Sequence, residues 1–124
     1  LFRSSPQEIF KQADIITLHV PGNADGTHFI TQQELELMKP EAVLINTARA
    51  SLIDETAMVQ ALRQKRIYGY GTDVFDGEPH MNPEFIGLNN VVCSPHTAAV
   101  SVEAVNTMSH AAVEHLMEYF GVTK

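Results

Sequence analysis

Three residues suited to holding an anion and moving one proton stand far apart in this 124-residue chain: Arg49 in Asn46-Thr47-Ala48-Arg49, Glu78 in Asp73-Val74-Phe75-Asp76-Gly77-Glu78-Pro79, and His96 in Ser94-Pro95-His96. A guanidinium stays charged and presents paired donors that match a carboxylate, so Arg49 suits an anionic 2-oxo or 2-hydroxy acid better than a lysine would. Taken alone, it reads equally well as a surface arginine paired with a nearby carboxylate. Imidazole has the unperturbed pKa nearest neutrality, so His96 can donate and accept a proton during turnover. A carboxylate beside an imidazole favours the imidazolium, which casts Glu78 as its orienting partner. A loop histidine or a loop glutamate by itself is usually just solvated. Here, however, each of the three follows an apolar, strand-like run. In an open parallel sheet the strand C-termini share one edge, so the three would converge on one crevice.

Asp73 differs in kind, because an aspartate inside an apolar run costs free energy unless something bonds it. The carboxamide NH₂ of a nicotinamide would satisfy it, and so would a backbone amide from the next loop. Gly69 and Gly71 in the same run suggest close approach by a neighbour or a ligand, and equally a plain packing need. His110 and His115 are five apart and share no helix face, and no Cys or second His stands at ligand spacing from His28 or His80, so no metal site is expected. Neither a Gly-x-Ser-x-Gly elbow nor a Gly-x-Gly-x-x-Gly turn occurs, although a sheet of this kind normally carries the latter when it binds a dinucleotide.

The elements that must position these residues are legible in outline. Ser5, Pro6 and Glu8 form a capping-box pattern that predicts a helix to about Ala13, with Ile9, Phe10 and Ala13 apolar. Residues 14–20 are apolar and β-branched without clean alternation, as expected of a strand buried on both faces. Pro21, Gly22, Asn23 and Gly26 make a loop, and Thr31 with Glu34 opens a second helix that must stop near Lys39, before Pro40. Asp54 is a candidate N-cap for a helix to about Lys65 with an inward stripe of Ala57, Met58, Ala61 and Leu62. Ser101 caps a long closing helix with Val102, Val105, Met108, Ala112, Leu116 and Tyr119 at spacings of three and four. Strands are expected at 14–20, 42–46, 69–75 and 91–94, with an irregular loop over 76–90. This alternation is the grammar of an α/β sheet with right-handed crossovers.

Composition narrows the partners. Eight Lys and Arg against fifteen Asp and Glu give a net charge of −7, which disfavours nucleic acid and anionic membrane, both bound through clustered positive charge. The only local basic run, Arg63, Lys65 and Arg66, falls at a predicted helix end, where cations complement the dipole. No apolar run approaches the roughly 18 residues that a membrane helix needs. Cys93 is the lone cysteine, so no intrachain disulfide can form; a reducing cytoplasm and a buried, inert thiol are expected. The chain opens at Leu1 with neither an initiator Met nor a signal-peptide layout and is short for a two-domain enzyme, so it reads as a fragment of a longer protein.

Four stretches together, Ala13-Asp14-Ile15-Ile16-Thr17-Leu18-His19-Val20-Pro21, Leu44-Ile45-Asn46-Thr47-Ala48-Arg49, Gly71-Thr72-Asp73-Val74-Phe75 with Glu78-Pro79, and Ser94-Pro95-His96, closely resemble the D-isomer-specific 2-hydroxyacid dehydrogenases. That family includes phosphoglycerate, glycerate and D-lactate dehydrogenases and hydroxypyruvate or glyoxylate reductases. The resemblance spans nearly the whole chain but only the later part of such an enzyme. It implies an α/β fold, a partial Rossmann-like parallel sheet with flanking helices. Residues 1–124 would be the later part of a dinucleotide-binding domain, with the glycine-rich loop and the substrate domain absent.

It further implies hydride transfer between C4 of NAD(P) and C2 of a small D-2-hydroxy or 2-oxo acid. Arg49 would bind the substrate carboxylate and carbonyl, His96 would be the general acid and base, and Glu78 would pair with it. The nicotinamide half of NAD, or of NADP, would lie along His19, Val20, Pro21, Thr47, Ala48 and Arg49, with Asp73 on its carboxamide and His96 alongside. The parent would be a cytoplasmic homodimer without nucleic-acid or membrane partners. Three departures stand out. Ala50 replaces a usual glycine and would cost about 1 kcal/mol if that site needs positive φ; Thr72 replaces a residue more often apolar; and Ala98-Ala99 follow His96 where small residues, often including glycine, are usual. The rival from another class is a dinucleotide-sensing binding or corepressor module on the same fold. Intact Arg49, Glu78 and His96 favour the enzyme.

Overall fold

The structure, a computed structural model, describes residues 5–122. Its helices begin where the capping chemistry predicts. The Ser5 hydroxyl accepts from Glu8 N while Glu8 Oε2 accepts from Ser5 N, opening α1 (Pro6–Gln12). This helix buries Phe10, whose ring lies 6.0 Å from that of Phe29. Thr31 and Glu34 repeat the device at α2 (Gln32–Leu37), with Glu34 Oε2 accepting from Thr31 N at 2.9 Å and from its hydroxyl at 2.6 Å. Asp54 accepts from Ala57 N at 3.0 Å to start α3 (Glu55–Arg63). The predicted inward stripe of α3 is corrected by one residue: Met58, Val59, Ala61 and Leu62 are buried, and Ala57 sits at the margin. The helix ends short of Lys65 because that residue turns left-handed, at φ 54°. The basic run is structural: Arg63 pairs with Glu84 at 3.2 Å, and Arg66 donates to the carbonyl of Glu36 near the end of α2.

Four strands, β1 (Ile15–Leu18), β2 (Val43–Asn46), β3 (Gly69–Thr72) and β4 (Val91–Cys93), form one parallel sheet in the order β1-β2-β3-β4. β3 is shorter than the expected 69–75. In register Asn46 faces Thr72 and Thr72 faces Cys93, and the ladder closes with Asp73 N donating to Asn46 O at 3.1 Å and Ser94 N to Thr72 O at 3.0 Å. Gly69 answers to a neighbouring chain segment: an added Cβ would stand 3.2 Å from Asn90 O, whereas one at Gly71 would make only ordinary contact with Ile45.

The sheet is covered on one face. Ile16, Leu18, Leu44 and Tyr70 pack with Phe10, Leu35, Met58 and Leu62 in one core. The opposite face carries Ile15, which is 67% exposed, and Val92, which is 76% exposed, above a groove of about 1040 Å³ lined by Val43, Ile45, Tyr68 and Gly71. The expected burial of residues 14–20 on both faces is therefore corrected, since no described helix lies over the second face. The closing helix needs the same correction. Ser101 caps α4 (Val102–Tyr119) by accepting from Ala104 N at 3.1 Å, yet the helix buries none of its residues, and Val102, Val105, Met108, Leu116 and Tyr119 are exposed. Its apolar stripe is real but has nothing among the described residues to cover it. Cys93 is half-buried rather than buried. No described helix is long and apolar enough to cross a membrane.

Candidate active site

Because the four strands are parallel, the loops after β1, β2, β3 and β4 all leave the sheet at one edge. Each loop is fastened by a side chain at or near the strand end. After β2, the fully buried Asn46 accepts from Ala48 N at 3.1 Å through Oδ1 and donates to Arg49 O at 2.9 Å through Nδ2, closing a tight turn. A short 3₁₀ turn (Ala50–Leu52) follows. Positive φ among described non-glycine residues is confined to Lys65 and His96, so Ala50 carries none of the strain its replacement of glycine suggested. Arg49 is exposed, donates from Nη1 to Ala48 O at 2.6 Å and forms no ion pair among the described residues. The alternative of a surface arginine paired with a carboxylate is thereby set aside.

After β3, Asp73 is only 2% exposed and spends its carboxylate on the next loop. Oδ1 accepts from Ser94 Oγ at 2.6 Å and from Thr97 N at 2.9 Å, and Oδ2 accepts from Ala98 N at 2.8 Å. Of the two partners the sequence left open, backbone amides are present. A carboxylate offers about four lone-pair directions, so one remains for a further donor. Burial pushes the Asp73 pKa up, but the bonds from Ser94, Ala98 and Thr97 outweigh it and hold the carboxyl below its ordinary 3.8. The Thr72 hydroxyl, the second departure, lies 2.8 Å from Val74 O and 3.2 Å from Asn46 O, so it is hydrogen-bonded within the strand end.

His96 follows β4 with φ 54°. Left-handed backbone costs a β-carbon-bearing residue about 1–2 kcal/mol and persists where its surroundings over-determine it. Here Asp73 holds the chain on both sides, at Ser94 and at Thr97 and Ala98. The imidazole Nδ1 meets Glu78 Oε2 at 2.7 Å, and Glu78 Oε1 accepts from Phe75 N at 3.0 Å. The His96 bond first, and the Phe75 amide second, hold the Glu78 carboxyl below its ordinary 4.5. With Nδ1 committed, Nε2 is the ring nitrogen that faces outward without a partner among the described residues. The long loop behind Glu78 is tied to α3 by Glu55, which accepts from Asp76 N at 3.2 Å and from Asn82 Nδ2 at 3.1 Å.

His19, Val20 and Pro21 are exposed in the loop after β1, with His19 Nε2 2.9 Å from the Thr17 hydroxyl. That loop rests on the loop after β2: a Cβ on Gly22 would stand 2.5 Å from Ser51 Oγ, and His28 Nδ1 donates to Ser51 O at 3.0 Å. His19 to Pro21 and Thr47 to Arg49 thus line neighbouring stretches of one edge. His96 and Glu78 are bonded to each other, and Asp73 holds the His96 loop through Ser94, Thr97 and Ala98. Arg49 shares the edge without a bond to them. Sequence reasoning missed Asn46 and Glu55 as anchors; a polar residue closing an apolar run was the available signal for Asn46, and Glu55 offered none.

The exposed residues His19, Val20, Pro21, Thr47 and Arg49 and the spare lone pair of Asp73 fit the nicotinamide half of a dinucleotide; the sequence has no glycine-rich turn to cradle a pyrophosphate. No described group of three or more His, Cys, Asp or Glu is placed to hold a metal.

Comparison with known proteins gives this geometry a family. A family model described as D-isomer specific 2-hydroxyacid dehydrogenase, NAD binding domain, matches residues 2–98 and ends just before α4. The chain is 40% identical over 113 residues to a glyoxylate reductase of Thermococcus litoralis, covering 91% of this chain and 34% of that protein. It is 37% identical over 129 residues to a D-2-hydroxyacid dehydrogenase (NAD+) of Lacticaseibacillus paracasei, covering 93% and 39%. Among solved structures, an acyclic imino acid reductase in complex with NADPH and D-Arg superposes with a TM-score of 0.87 at 44% identity, covering 95% of this chain and 38% of that one. The chain spans little more than a third of the length of these relatives. With most of its residues matched and with the fold in agreement, the chain belongs to the D-isomer specific 2-hydroxyacid dehydrogenase family, through its NAD-binding domain.

Proposed function

We propose that the chain is the later part of the dinucleotide-binding domain of an oxidoreductase that interconverts a small 2-oxo acid and its D-2-hydroxy acid with NAD or NADP. The observation that carries this reading is the His96–Glu78 pair, bonded at 2.7 Å through Nδ1, on the same sheet edge as an arginine that has no ion pair among the described residues. Arg49 holds the substrate carboxylate through two parallel donors. His96 Nε2 gives its proton to the substrate oxygen as the carbonyl becomes a hydroxyl, and takes it back in the reverse direction. Glu78 stabilises the imidazolium between those events. His19, Val20, Pro21, Thr47, Ala48 and Arg49 line the nicotinamide, and Asp73 offers its remaining lone pair to the carboxamide. A bound nicotinamide supplies or accepts the hydride. This reading places the glycine-rich loop and a substrate domain in a part of the parent protein outside this chain, which spans little more than a third of its relatives' length.

A carbon–nitrogen double bond in place of the carbonyl is the second reading, favoured by the 44% identity to the imino acid reductase. The full-length protein is assayed for NADH and NADPH oxidation with glyoxylate, pyruvate and hydroxypyruvate, with and without methylamine. Turnover of the 2-oxo acids alone is expected, and His96→Ala lowers it by about 10²–10⁴-fold. Turnover only in the presence of amine selects the second reading. Cofactor binding without turnover of any substrate identifies a dinucleotide-sensing module and overturns both.

A further inference from the structure

We infer that Asn46 is a positioning residue for Arg49, and that it sets the preference of the site for a carboxylate substrate. The inference rests on the proposed role of Arg49 as the carboxylate binder. A primary amide is costly to bury unless both its ends are bonded. Asn46 is 0% exposed, and both ends are spent on the three residues that follow it, through Ala48 N and Arg49 O. Its own carbonyl accepts from Asp73 N at 3.1 Å and lies 3.2 Å from the Thr72 hydroxyl. Asn46 is therefore fastened to β3 by its main chain and to the Arg49 turn by its side chain. On the far side of the same cross-strand pairing, Asp73 fastens the His96 loop. The two loops that carry the guanidinium and the imidazole are thus registered from one point of the sheet.

Arg49 needs such an anchor because its guanidinium is exposed and its one hydrogen bond among the described residues is to Ala48 O, within the same turn. Loosening the turn spreads the guanidinium over many directions. It leaves the Asp73, Glu78 and His96 bonds in place. The loss therefore falls on recognition of the carboxylate rather than on proton transfer.

The test compares kcat/KM for pyruvate and for its uncharged amide in the full-length enzyme, wild type against Asn46→Ala and Arg49→Ala. Wild type prefers the acid, and Arg49→Ala abolishes the preference. Asn46→Ala shrinks it about tenfold, chiefly through the KM for pyruvate, while kcat stays within about threefold. A merely destabilised protein would lose activity toward both substrates in proportion. If Asn46→Ala does not fold, Asn46→Ser, which loses the donor that reaches Arg49 O, is read in the same way. A full acid preference in the Asn46 variants alongside its loss in Arg49→Ala overturns the inference but spares the role of Arg49. No acid preference in wild type overturns that role, and the inference falls with it.

Discussion

At the scale of single residues, bonds among the side chains and loops of the site commit some atoms and leave others open. Glu78 accepts from Phe75 N with one oxygen and meets His96 with the other; His96 keeps Nε2 outward; Asp73 keeps one lone pair. Each reactive atom is held by a bond to a different atom of the same group, so orientation is set before any ligand arrives. Glu78→Gln tests the pairing. The substitution keeps the shape of the side chain but replaces the carboxylate that meets His96 Nδ1 at 2.7 Å with a neutral amide. Expected is a fall of about tenfold in kcat/KM for a 2-oxo acid in the full-length protein. An unchanged kcat/KM would remove Glu78 from the site.

At the scale of elements, local chemistry decides where helices begin and leaves open what covers them. Asp54 is the clearest case, with one acceptor on Ala57 N opening the helix that supplies Met58, Val59, Ala61 and Leu62 to the core. Asp54→Ala is expected to destabilise the chain by about 1 kcal/mol in urea unfolding, with Asp54→Ser restoring most of it; an unchanged midpoint would show that the cap is idle. The caps at Ser5, Thr31, Asp54 and Ser101 and the four strands were legible because each depends on neighbours a few residues away. The edge shared by Arg49, Glu78 and His96 followed from the expectation that the strands run parallel, so that their C-termini lie together. What escaped depends on distant parts. An apolar stripe on α4 and an apolar face on β1 say that burial is favourable, but not that a partner is present. The extent of β3 depends on where its two neighbours stop. For Asp73 the sequence left a loop amide and a nicotinamide carboxamide open side by side, because the loop it holds begins some twenty residues later.

At the scale of the whole molecule, hydrogen-bonded carboxylates make the fold sensitive to acid. Asp25, Glu34, Asp73, Glu78 and Glu103 all lie below their ordinary values of 3.8 for aspartate and 4.5 for glutamate. A lowered native pKa adds stability that is complete above the ordinary value and is lost as the pH falls through the lowered one. The urea midpoint is therefore expected to be level between about pH 7 and 5 and to drop increasingly steeply below about pH 4; a midpoint still level at pH 3 would contradict this. The arrangement around α4 has a mechanical consequence as well. At 18 residues the helix is a rod about 27 Å long, and the chain reaches it from β4 through the segment that contains His96. Asp73 grips that segment at Ser94, Thr97 and Ala98, and Ser101 stiffens the rod from its first turn. Between the grip and the stiffened end lie only Ala99 and Val100, with Val100 N donating to Thr97 O at 2.9 Å. A bend at those two residues would therefore fall outboard of the imidazole and leave His96 where Asp73 holds its loop.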